Sequence, residues 1–182
     1  MHLCIQLFYI PYSIWFSLLV DYYNLRMKLI QIPIKKNFKF LILFFFILFI
    51  YTVTTSSISN LFDPSLLETS MSKEKNLMFV FFMLVVVAPI FETLIYQTAV
   101  IEILLKFKIR MRSAIVISAL LFGLSHSYSF IYILLAIGTG FVLAYYYASL
   151  REQGKINKIV FVTILHALIN LVVFIHNHIF NL

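Results

Sequence analysis

From Leu77 to Leu105 the sequence carries only two charged side chains, Glu92 and Glu102, and Pro89 stands three residues before the first. At a helical rise of ~1.5 Å per residue this stretch outruns the ~30 Å hydrocarbon core of a bilayer. It therefore crosses a membrane tilted or broken rather than straight. Pro89 lacks a backbone donor and its ring crowds the preceding turn. The expectation is a kink there, giving either one broken helix or a span followed by a short membrane-surface helix. A carboxylate as deep as Glu92 is costly in lipid, so it marks a functional site and needs polar partners. Candidates stand in two other apolar runs: His126 in LLFGLSHSYS, and His166 with Asn170 in TILHALINLV.

The composition agrees that lipid is the solvent. The chain is 63% hydrophobic and 12% charged, whereas a soluble domain carries about a quarter charged residues and under half apolar ones. The fold class expected is all-α, a polytopic transmembrane bundle of about five to six spans. Met1 to Val20 is uncharged and long enough to cross, without a basic start or a small-residue cleavage site, and reads as a span. Met27 offers a second natural start, which would leave residues 1–26 as an upstream extension. Phe40–Thr54 is the next span, Ser56–Asn76 the main polar connection, and Leu77–Leu105 the long run described above. Ser113 is placed to cap a helix running to about His126. Phe130–Leu150 follows, with Gly138 and Gly140 permitting close helix contact. Ile159 to about Ile175 is the last span. The single Cys4 excludes a disulfide framework and a cysteine-only metal site.

The net charge of +7 has an orienting role. Twelve of the 14 Lys and Arg residues fall in the alternate loops 21–39, 106–112 and 151–158, and two in loop 56–76. The positive-inside rule places the first three loops in the cytoplasm and the fourth outside. The charge also draws the protein to anionic headgroups, and no nucleic-acid partner is expected. Counted from these loops, His166 lies roughly 12 Å deep, and Glu92 and His126 roughly 20 Å. All three reach the middle of the bilayer, so they can meet.

Each polar residue has a plain reading. A lone membrane histidine, or an Asn four residues from it, serves often as helix–helix glue. A carboxylate, two histidines and an amide on separate spans at matching depth point instead to a site. His166 and Asn170 share a helix face, as do Phe122 and His126. Glu92 and Gln97, ~140° apart on an α-helical wheel, would not line one stripe. Glu102 precedes Lys106 by one turn and reads as a solvated surface pair. His176 and His178 read as solvated end residues, and His2 carries no signal. Ser125 and Ser127 flank His126, but no Asp lies inside a span, so no Ser-His-Asp set is available.

APIFETLIYQ, FGLSH and HALIN resemble the three motifs of the CPBP family, the CAAX-protease and bacteriocin-processing (Abi) intramembrane proteases. That family's motifs are usually Glu-Glu-x-x-x-Arg, Phe-x-x-x-His and His-x-x-x-Asn/Asp. Glu92 falls on the first glutamate, Phe122 and His126 on the second motif, and His166 and Asn170 on the third. The resemblance covers about residues 78–175 and implies a protease domain over 76–180, with residues 1–75 as N-terminal spans and loops outside it. Thr93 stands where the second glutamate is usual, and Gln97 where the arginine is. Together these look like a paired exchange, since an intramembrane arginine without its acid is costly. Any substrate contact made by that arginine, and with it prenyl dependence, does not carry over.

The resemblance implies an intramembrane endopeptidase, with Glu92 activating water, His126 holding that water or sharing its proton, and His166 with Asn170 facing the carbonyl oxygen. The substrate would be a membrane-associated peptide or protein, and the location a bacterial inner membrane. A water-filled cavity is required, with Pro89 and Gly123 as the places where irregularity could open one. No cofactor is expected. Glu92, His126 and His166 could be read as a zinc site, but that would consume the only deep carboxylate and leave no acid as base. Two other readings compete: a non-catalytic protein of the same fold acting in bacteriocin immunity or as a scaffold, and an ion or proton conductor, for which no repeat or matched pair of broken helices speaks.

Overall fold

The computed structural model describes residues 37–69, 71, 74–153 and 158–180. The span expected over residues 1–20, and the loop 21–39 up to residue 36, lie outside the described residues. All regular structure among the described residues is helical. α1 is Asn37–Phe62, α2 is Leu77–Lys106, α3 is Met111–Leu124, α4 is Phe130–Gln153 and α5 is Lys158–Ile175. Four of the five, over Phe38–Ser59, Leu77–Lys106, Phe130–Arg151 and Lys158–His178, are long and apolar enough to cross a membrane. α3 has 14 residues, about 21 Å of helix, and is short of a full crossing. The described residues thus hold four long candidate spans and one short apolar helix.

The end of α1 and the start of α3 differ from the sequence expectation. α1 runs on to Phe62 instead of yielding to a loop at Ser56. Thr55 Oγ1 donates back to the carbonyls of Tyr51 and Thr52 at 2.7 and 3.1 Å, so its hydroxyl is satisfied within the helix. α3 begins at Met111 behind Arg110, with no side-chain cap, and Ser113 lies inside its first turn. The connection after α1 is a short 3₁₀ turn, Pro64–Leu67, capped by Asp63, whose side chain accepts from the Ser65 N–H at 2.9 Å. Those hydrogen bonds from Ser65 hold the Asp63 carboxyl below the usual carboxylate range.

α3 and α4 form a hairpin, and α5 packs against α1, α2 and α4. The glycines work as close-approach points. A Cβ on Gly138 would strike Tyr51, and one on Gly140 would meet Phe122. Gly123 packs under Ile137 in the same way, so there it serves the close packing of the α3–α4 hairpin. The core gathers Leu48, Ile101, Leu143, Tyr147, Val162 and Leu165, all fully buried or nearly so.

Glu102 has different partners from the expected Lys106. Its Oε1 accepts from Tyr147 Oη at 2.9 Å, Arg151 Nε at 3.0 Å and Lys158 Nζ at 2.7 Å. One carboxylate ties the last turn of α2 to the end of α4 and the start of α5. The basic ends of these helices therefore lie on one side of the bundle. The 3₁₀ turn lies at the other end, where Tyr51 bonds the Leu135 carbonyl and Ser129 the Leu66 carbonyl. Single cysteines placed within 65–69 should react with a membrane-impermeant thiol reagent in intact cells, and those within 107–110 should not. The opposite pattern would overturn the orientation drawn from the basic loops.

Candidate functional site

α2 is continuous through Pro89, which corrects the expectation of a broken helix. Two π-helical stretches, Phe82–Val87 and Thr93–Val100, bracket the regular turn Ala88–Glu92. Wider turns before the proline absorb its missing N–H, as where the Ala88 N–H bonds the Met83 carbonyl five residues back. Irregular backbone inside a membrane requires its freed groups to be met by protein. Each stretch has such a contact: Asn170 Nδ2 donates to the Leu84 carbonyl at 2.9 Å, and Ser118 Oγ to the Tyr96 carbonyl at 2.9 Å.

The turn between the π stretches carries Glu92. Its Oε2 lies 3.5 Å from His166 Nε2 and 3.8 Å from His126 Nε2. Three candidates from α2, α5 and the loop after α3 thus converge on one carboxylate oxygen. Both separations exceed an ordinary N–H···O bond and suit a polar molecule shared between the groups. Exposure is graded: the Glu92 side chain is 25% exposed, His126 18% and His166 3%.

Each imidazole is held differently. His126 Nδ1 lies 2.7 Å from the Phe122 carbonyl. A carbonyl only accepts, so Nδ1 carries the proton and, in the neutral ring, Nε2 is left as an acceptor facing Glu92. Ser125 Oγ donates to the same carbonyl at 2.6 Å and sits 3.2 Å from Nδ1. The Phe122 ring lies 4.6 Å from the His126 ring and 5.6 Å from that of His166, the one-turn stacking that their spacing implies. His166 is buried, and its Nδ1 has no hydrogen-bond partner among the described residues.

Asn170 shares the His166 face of α5 as expected, but one of its N–H bonds goes to Leu84. It pins the segment leading to Glu92 and keeps one N–H for any other acceptor. Thr93 and Gln97 are fully buried, and among the described residues neither Thr93 Oγ1 nor either amide atom of Gln97 has a hydrogen-bond partner. Glu92 is partly open while Gln97 is closed off, so the two do not share a surface, as their spacing suggests.

The sequence reading missed Tyr132, whose ring lies nearly parallel to that of His126, 16° apart with centroids at 6.0 Å. No periodic relation links them, because a loop intervenes. His178, expected to be solvated, is 8% exposed and packs on Phe174, four residues before it, with ring centroids 5.2 Å apart. His176 is exposed, as expected, and His2 lies outside the described residues.

Among known proteins, the model of the family described as type II CAAX prenyl endopeptidase Rce1-like matches residues 74–172, more than half of the chain. No curated protein and no solved structure matches it.

Proposed function

The chain belongs to the Rce1-like type II CAAX prenyl endopeptidase family, and on that premise we propose that it is a membrane-embedded endopeptidase in which Glu92 activates water. The observation that carries this reading is the approach of Glu92 Oε2 to two imidazole Nε2 atoms at 3.5 and 3.8 Å, on a stretch of α2 with no other charged side chain before Glu102. Water held between Glu92 and His126 Nε2 gives up a proton to the carboxylate as its oxygen attacks the substrate carbonyl. The Nε2–H of a neutral His166, and the second N–H of Asn170, supply donors for the oxyanion. The proton on Glu92 then passes to the leaving amine as the C–N bond breaks.

Were a zinc ion bound, Glu92, His126 and His166 would be the residues to hold it. Those same residues would then leave no carboxylate to serve as base. The zinc pattern with two histidines on one helix keeps a glutamate between them, whereas α5 has Ala167, Leu168 and Ile169 after His166. The proposal is therefore a glutamate-dependent, metal-independent hydrolase. Peptides released from membranes should differ between cells with and without the protein, and the purified protein should cleave those substrates in strong chelators. Loss of cleavage in chelator with recovery on added zinc would overturn the metal-independent mechanism. A folded protein that cleaves nothing would favour the immunity or scaffold role.

A further inference from the structure

We propose that Tyr132 is a positioning residue for His126, an inference that rests on the proteolytic reading above. His126 is carried by a loop, since α3 ends at Leu124 and α4 begins at Phe130. A catalytic ring on a loop needs its orientation fixed by its surroundings. The bond to the Phe122 carbonyl fixes which nitrogen carries the proton, but one hydrogen bond leaves the ring plane free to pivot about it. Two aromatic faces remove that freedom. Phe122 meets the imidazole tilted by 40°, and Tyr132 meets it nearly parallel at 16°.

Tyr132 is itself anchored. Its N–H bonds Ser129 Oγ at 3.0 Å, which makes Ser129 the N-cap of α4. The same hydroxyl donates to the Leu66 carbonyl at 2.6 Å, tying the start of α4 to the 3₁₀ turn. The Tyr128 ring braces the Tyr132 ring edge-on at 5.1 Å. The flat ring is thus set by the helix start, and the imidazole is set by the flat ring. The result is that Nε2 is aimed at Glu92.

The discriminating variants are Tyr132→Phe, which keeps the flat face, and Tyr132→Met, which fills the space with a flexible apolar chain. Tyr132→Phe should cleave at a rate within about twofold of the original, while Tyr132→Met should lose kcat on the order of tenfold to a hundredfold with KM little changed. In protein labelled with ¹⁵N-histidine and held in aligned lipid bilayers, the orientation-dependent His126 signal should report a single ring orientation. It should stay so in Tyr132→Phe and spread over several orientations in Tyr132→Met, while the bond to the Phe122 carbonyl keeps Nδ1 protonated in both. Should the Met variant fail to accumulate, Tyr132→Leu makes the same comparison. A His126 signal still confined to one orientation in the Met or Leu variant would overturn the proposal, as would equal damage from Tyr132→Phe, which would assign the effect to the hydroxyl. The orientation signal needs no turnover, so an original protein that cleaves nothing would sink the protease reading and leave this test intact.

Discussion

Glu92→Gln should leave the protein in the membrane near its normal level and reduce cleavage on the order of a thousandfold or more, the scale of a lost general base. The two properties separate because of where the carboxylate sits. A neutral amide is cheaper to hold in lipid than a carboxylate, and the Gln side chain keeps the length that spans the gap to His126 and His166. No helix contact is lost, but water has no base. Glu102→Gln should do the reverse. Its carboxylate is the shared acceptor for Tyr147, Arg151 and Lys158, so losing its charge loosens the junction of α2, α4 and α5. The side chain is 29% exposed, and screening trims the charged hydrogen bonds to roughly 1–2 kcal/mol. Thermal stability and abundance should fall while cleavage per folded molecule stays constant. Measuring both quantities for both variants decides the matter. A Glu92→Gln protein with normal turnover, or two variants that lose activity only as they lose abundance, would reduce Glu92 to a packing residue.

The contrast between these two acids also separates what was legible in the sequence from what was not. Glu92 announced itself because lipid penalises a lone charge, and the only partners at a matching depth were His126 and His166. That argument needs no knowledge of packing angles, and the three side chains do converge. Spacing likewise placed Phe122 against His126 and His166 on one face with Asn170. Glu102 was misread because a neighbour one turn away competes poorly with cations that arrive from 49 and 56 residues along the chain. The π stretches were hidden for a different reason. They change the backbone hydrogen-bond ladder without changing the apolar character of the side chains, so Pro89 suggested a break where the helix widens instead. Without those stretches in view, the Leu84 carbonyl could not be foreseen as the partner of Asn170. Tyr132 was hidden by the loop between it and His126.

Gln97→Arg should sharply lower the amount of folded protein, and adding Thr93→Glu should restore part of it. Both positions are fully buried on a π-helical stretch of α2, four residues apart and so neighbours along one face. An arginine at position 97 has no water to reach, and a charge at the centre of a membrane helix costs about 3 kcal/mol even on the mildest scale. A glutamate at 93 would supply the opposite charge within reach, converting an unpaired ion into a pair. The present residues fill the same space with neutral groups, whose hydrogen-bonding atoms lack partners among the described residues. That is a lesser penalty than a bare charge. The family's usual Glu and Arg at these places would then be a coupled unit that this chain has exchanged as a whole. In a double-mutant cycle on folded yield or thermal stability, the coupling should favour the pair by on the order of 1 kcal/mol or more. Additive effects within about 0.5 kcal/mol would show two independent substitutions, and Gln97→Arg tolerated alone would mean that position 97 reaches water.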